Sequence, residues 1–213
     1  VAARELAERG GKRVLVLERR NHVGGNAYDC FDEAGVLIHQ YGPHIFHTNS
    51  TRVFDYLSRF TRWRPYEHQV VANLPDGDGR LEYPVPFNLV SLRAAFPPEK
   101  ARALAEKLVS AYGMEKKVTI LELRQNPDPE LSALADYVYG HVFVRYTMKQ
   151  WGQTPEEIDP AVTARVPVFL SEDCRYFQDT YQGMPLHGYT ALFENMLRHD
   201  NIDLRLNTDA REH

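Results

Sequence analysis

An α/β fold with a parallel sheet, interrupted by an inserted helical region and some antiparallel strands, is what this sequence predicts, and three observations predict it. Val14-Leu15-Val16-Leu17 is a short run apolar on both faces, the pattern of a buried parallel strand. It follows a run of helix formers over residues 2–9 that Gly10-Gly11 stops. It precedes Gly24-Gly25-Asn26, where positive φ and close backbone approach to a ligand are permitted.

Each later element has its own signal. The first helix carries an Arg4/Glu8 pair one turn apart. Glu18 closes the first strand, where a carboxylate either accepts hydrogen bonds from a ribose or opens a solvated Glu18-Arg19-Arg20 turn. Residues 51–60 read as a short helix, and HQVVANL and RLEYPV, separated by PDGDG, read as a β-hairpin. After PPEK, Ala101, Leu104, Ala105, Leu108, Val109 and Tyr112 keep helical spacing. From Pro129 a second stripe, Leu131, Leu134, Ala135, Val138 and Val142, runs into YTMKQWG at 146–152. Residues 159–180 lack clean periodicity and read as a mobile loop. A helix at 189–198 and a strand at 202–206 return the chain to the α/β region.

The 213 residues carry a formal charge of −4, with 43% hydrophobic and 25% charged residues, as ordinary globular proteins do. A nucleic-acid binder would show a basic balance instead. Cys30 and Cys174 have no Cys or His at metal-ligand spacing, so neither a metal site nor a disulfide framework is expected. No stretch approaches the roughly 20 apolar residues that span a bilayer. Neither a nucleophile elbow, a P-loop nor a paired-carboxylate motif appears.

The region 143–177 concentrates aromatic rings, hydroxyls and a guanidinium. At helical spacing Phe143, Thr147 and Trp151 share one face, with Tyr146 and Gln150 beside it. Such a face either stacks a base or sugar or forms an aromatic core stripe, though buried hydroxyls then need partners. Arg165 lies between Pro160 and Pro167, and a planar guanidinium on a loop suits a pyrophosphate.

Three segments in this order, VLVLERRNHVGGNAYD at 14–29, YGPHIFHT at 41–48, and YTMKQWG with Arg165 and CRYF at 174–177, resemble UDP-galactopyranose mutase of the bacterial type, a flavoenzyme. The likeness runs over nearly the whole chain. It implies a Rossmann-like FAD-binding domain in which Glu18, Arg19, Gly24, Gly25, Asn26, His44 and Ile45 contact the cofactor. It implies Tyr146 and Thr147 at the diphosphate, Trp151 at the galactose end, Tyr176 as a second phosphate-binding tyrosine, and Phe177 and Phe143 near the uracil. His68 stands where relatives carry asparagine or histidine near the substrate. Arg165 and His44 take the catalytic roles, and Val142 departs from the phenylalanine the family often has there.

The resemblance further implies interconversion of UDP-galactopyranose and UDP-galactofuranose, the galactofuranose precursor of cell-surface glycans. Reduced FAD attacks the anomeric carbon through N5 and UDP leaves and returns, with no net redox change. The expected division is 1–50 for part of the FAD domain, 51–95 for the hairpin region, 96–158 for the helical insertion, 159–180 for the substrate loop and 181–213 for the return. The chain reads as an internal piece, with the first strand and glycine fingerprint before it and about a third of the protein after it. A cytoplasmic homodimer or higher oligomer is expected. An amine-oxidase-like redox flavoenzyme, and an inactive UDP-binding piece, are the alternatives.

Overall fold

The computed structural model describes residues 1–76, 79–143, 152 and 167–212. The chain divides into two units, Val1–Glu67 with Asp179–His213, and His68–Gln178.

In the first unit, α1 (Ala2–Glu8) leads to β1 (Val14–Leu17). Glu8 joins α1 to the next helix, its carboxylate accepting from Arg4 at 3.0 Å and from Arg59 at 2.5 and 2.6 Å. A 3₁₀ turn at Gly25–Ala27 then leads into a hairpin of β2 (Asp29–Phe31) and β3 (Leu37–His39), with Asp29 opposite His39. Asp32 shapes that hairpin's turn by accepting the N–H groups of Ala34 and Val36 on one oxygen. After β4 (Phe46–Thr48), Ser50 caps α2 (Thr51–Ser58) by accepting the Val53 N–H, and β5 (Trp63–Pro65) ends this half.

The second unit begins with the antiparallel pair β6 (Val70–Asp76) and β7 (Gly79–Val85), followed by α3 (Leu89–Ala95) and α4 (Pro98–Tyr112). Then come β8 (Lys117–Val118), α5 (Ile120–Arg124) and α6 (Pro129–Val138). Asp128 caps α6 by accepting the Glu130 N–H, with proline at the helix start. Tyr139–Phe143 continues α6 as a π-helical turn, a form frequent at functional sites. The unit's core takes Leu104 and Leu108 from α4, Leu131, Leu134 and Val138 from α6, and Tyr83 and Phe87 from the hairpin and its exit. Each such leucine, buried, contributes about 1.5–3 kcal/mol. Val142 is buried in the same core.

This core redraws two expectations. The hairpin expected to form a separate 51–95 region shares its core with the helices, because Leu74, Tyr83 and Val85 face Leu92 and its neighbours. Residues 167–170, expected inside the 159–180 loop, are buried, and β9 (Val168–Phe169) pairs antiparallel with β8. The apolar run Val168-Phe169-Leu170 satisfies its backbone from both sides: Phe169 N–H donates to Phe87 and Leu170 N–H to Lys116.

Returning to the first unit, β10 (Tyr181–Pro185) lies between β4 and β5, antiparallel to both. Phe46 stacks on Trp63 with centroids 4.3 Å apart, and Phe54 on Tyr181 at 4.2 Å. Next, α7 (Gly188–Leu197) packs Leu192 and Met196 against Phe60, and β11 (Ile202–Arg205) runs parallel to β1 from Val14 opposite Ile202 to Leu17 opposite Arg205. Leu15 is 51% exposed, so β1 is not covered on both faces by the described residues.

One carboxylate joins the two halves of this unit. Asp29, 2% exposed, accepts the N–H groups of Tyr189 at 2.6 Å and Thr190 at 2.9 Å in the first turn of α7. The Thr190 hydroxyl donates to the Asp29 carbonyl at 2.7 Å and accepts the Asp29 N–H at 3.1 Å. A side chain on Gly188, at φ +88°, would put its Cβ 2.6 Å from the Asp29 carboxylate.

Asp29→Ala is therefore expected to cost about 2–3 kcal/mol, since buried donors lose their acceptor at a helix start, read as a lowered urea midpoint. Acid should weaken a second contact. Arg4 and Arg59 hold the Glu8 carboxyl at about 2 instead of 4.5, so its stabilisation is present above the unfolded value and is lost as pH falls from 4.5 through 2. Glu8→Gln should show a smaller loss of midpoint across that window than the unmodified chain.

Candidate functional site

The residues expected to hold a cofactor lie around the end of β1. Glu18 follows the strand's last residue and its Oε1 accepts the Arg20 N–H at 2.8 Å, which engages one of its two carboxylate oxygens. Arg20 turns back over the glycine turn: Nη2 donates to Asn26 Oδ1 at 2.9 Å, and the guanidinium sits 4.8 Å from the centre of the Tyr41 ring. Beyond the carboxyl ends of β1 and β11 is a hollow of about 320 Å³ lined by Leu17, Arg19, Thr208, Asp209, Ala210 and Arg211. That is where open α/β sheets bind ligands. Arg211 grips Asp209 through two hydrogen bonds and holds its carboxyl at about 2.

Gly24 and Gly25 have φ of +89° and +57°. A Cβ on Gly24 would stand 3.1 Å from the Phe193 ring of α7, whereas one on Gly25 would meet nothing within 4 Å. The first glycine thus lets the turn lie against α7. The second leaves bare backbone beside open space, as a phosphate-bearing ligand requires.

Behind this turn, buried His22 stacks on Tyr28 with centroids 3.7 Å apart, and its Nε2 lies 2.9 Å from the Tyr41 hydroxyl. Tyr41 opens the segment that carries His44 and half-buried Ile45. The His44 N–H donates to His39 Nδ1 at 3.2 Å, and its own Nδ1 lies 2.9 Å from the Gly42 carbonyl. His47 is held differently, with Nδ1 2.6 Å from the Asp179 carboxylate that also takes the Asn49 amide.

In the second unit the structure brings together three residues expected at the substrate, though 108 positions separate the first and second. The Tyr176 N–H donates to the His68 carbonyl at 2.7 Å. The His68 ring meets Tyr176 edge-on at 5.6 Å and faces Phe177 at 6.1 Å. Buried polar residues hold the CRYF segment in this position. Asn88, 2% exposed, caps α3 by accepting the Ser91 N–H and gives its amide hydrogens to the Asp173 carbonyl at 2.9 Å. Buried Ser171 accepts the Asp173 N–H, and Asp173 in turn takes the Arg175 guanidinium at 2.7–3.1 Å.

Of the other expected site residues, Phe143 ends the π-helical turn, and its side chain lies outside the described residues, as do Tyr146, Thr147, Trp151 and Arg165. Among the described residues no three His, Cys, Asp or Glu side chains are grouped to hold a metal ion, and no helix is long and apolar enough to cross a membrane.

Sequence reasoning missed Asp29, Thr190, His22, His39, Asn88 and Ser171. Only Asn88 carried a local signal, the Asn-Leu-Val-Ser pattern of a helix start. Asp29 and Thr190 act through each other's segments, 160 and 161 positions apart in the chain.

Asn88→Ala should lower stability by about 1–3 kcal/mol and speed exchange of the Tyr176 amide, measured by hydrogen–deuterium exchange, by removing both the α3 cap and the tie to residue 173.

Residues 141–213 match the family described as UDP-galactopyranose mutase, and residues 1–60 match the NAD(P)-binding Rossmann-like domain. The chain is 40% identical over 202 residues to the UDP-galactopyranose mutase of Mycoplasma pneumoniae, covering 94% of this chain and 50% of that protein. It is 36% identical to a probable UDP-galactopyranose mutase of Klebsiella pneumoniae, covering 97% and 52% respectively. It is also 36% identical to the dTDP-fucopyranose mutase of Escherichia coli, covering 96% and 52%. The chain spans about half the length of the curated relatives it matches.

Proposed function

The chain is a relative of the UDP-galactopyranose mutases over nearly its whole length, and on that premise we propose that its protein interconverts UDP-galactopyranose and UDP-galactofuranose with reduced FAD. The observation that carries the reading is the convergence of His68, Tyr176 and Phe177, which supports one aromatic and hydroxyl-bearing binding face. The open backbone at Gly25 and the hollow beside Arg19 are compatible with a dinucleotide cofactor.

In this reading Glu18 accepts from the adenosine ribose, Arg19 lies by the adenosine, and the Gly24-Gly25-Asn26 turn faces the pyrophosphate. His44 and Ile45 lie against the ring system. Bound in its reduced form, FAD supplies an electron-rich ring nitrogen able to take the sugar from UDP and give it back.

This chain's own residues bind and orient. Tyr146, Thr147 and Tyr176 donate hydroxyl hydrogens to diphosphate oxygens, and Arg165 neutralises the charge that grows on the diphosphate as the glycosidic bond breaks. Trp151 packs on the sugar, while Phe177, Phe143 and His68 line the base end. The helical unit is the insertion that carries this face, and the protein works as a cytoplasmic homo-oligomer supplying galactofuranose for surface glycans.

The identity to a dTDP-fucopyranose mutase favours a second reading, the same ring contraction on a dTDP-sugar. Both are tested anaerobically with dithionite-reduced FAD and the protein from its full reading frame. UDP-galactofuranose and dTDP-fucofuranose are supplied separately, and pyranose products are resolved by chromatography. Conversion of UDP-galactofuranose alone supports the first reading and of the dTDP-sugar alone the second; conversion of neither, with flavin bound, rejects both. In the active protein Arg165→Ala should lower kcat/KM roughly 100-fold or more while leaving flavin bound. Near-normal turnover by that variant would remove Arg165 from the site.

A further inference from the structure

We propose that His39 is a positioning residue for His44 and that it performs this role only as a neutral imidazole. The proposal rests on the reading of His44 as the histidine beside the flavin. His39 ends β3, and its Nδ1 accepts the backbone N–H of His44 at 3.2 Å. The two rings lie parallel within 1°, with centroids 6.4 Å apart. A ring nitrogen that accepts a hydrogen bond carries no proton, so His39 is the Nε2–H tautomer.

His44 is held a second time from within its own turn. Its Nδ1 lies 2.9 Å from the Gly42 carbonyl, which can only accept, so Nδ1 carries a proton. One hydrogen bond therefore sets the His44 backbone and the other sets its ring. Gly42, at φ +95°, permits the turn.

The groups around His39 come from three elements. Asp29 is its cross-strand partner on β2, with its carboxylate taken by the α7 N–H groups. Tyr189 of α7 presents a ring edge at 5.9 Å, and burial pushes its phenol up to about 12, so it is neutral across the working range. His44 itself is the third. Protonation of His39 at Nδ1 would set a second N–H against that of His44, and the anchor would be lost.

His39→Asn places a carbonyl oxygen where Nδ1 stands; it accepts the same bond and does not titrate. In the full-length protein this variant should keep kcat within about threefold of the unmodified enzyme near neutral pH. His39→Ala should lower kcat roughly 10–100-fold with little change in KM, since the substrate is not touched. A second readout needs no turnover: in ¹⁵N-histidine spectra of the cofactor-free protein, His39 should show an unprotonated Nδ1 at neutral pH. A protonated Nδ1 there, or His39→Asn as impaired as His39→Ala, overturns the proposal. If the unmodified protein converts neither sugar nucleotide, the functional reading fails while the spectrum still decides the tautomer.

Discussion

The first unit depends on the Asp29 carboxylate. Helix α7 begins far along the chain from the glycine turn, and its first N–H groups have no partner within the helix. Asp29 supplies two acceptor oxygens to them, buried and charge-assisted, and Thr190 returns two hydrogen bonds to the backbone of residue 29. The turn before Asp29 is fixed by the same helix, since Gly24 lies against Phe193 one turn further on. The hairpin after Asp29 carries His39, which holds His44. A helix start thus serves as the reference surface for the whole expected cofactor side.

The second unit solves a different problem, presenting rings on a segment without regular secondary structure. Its solution is a short relay of buried polar groups. Asn88 and Ser171, both nearly inaccessible, tie residues 171–175 to the start of α3, and the Tyr176 N–H closes on His68. Buried polar groups left without partners would be costly, so a satisfied set of this kind selects one arrangement of the segment. The rings of Tyr176 and Phe177 are then placed by hydrogen bonds lying behind them.

The two kinds of expected site residue differed in how far their local structure could be read in advance. Gly24, Gly25 and Glu18 were legible because turn chemistry and strand ends are local properties of the chain. Tyr176, Phe177 and His68 were named from resemblance, and nothing in their spacing foretold that His68 would meet the other two. The loop expectation failed at Val168-Phe169-Leu170 because an apolar run of three is too short to have a period. Its strand character comes from Phe87 and Lys116, which accept its N–H groups.

The sequence by itself determined the α/β class, the hairpin at 70–85 and the helices with strong stripes, because periodicity and turn residues act over a few positions. Helix α4 and the buried face of α6 could be drawn residue by residue from it. Only the tertiary structure decided that β11 returns parallel to β1, that the hairpin joins the helical core, that Asp29 and His39 hold the turns of the first unit, and that Asn88 and Ser171 hold the CRYF segment of the second. Each of these acts through a hydrogen bond or a packing contact with a partner elsewhere in the chain. A single sequence carries no record of such a pairing until the chain has folded.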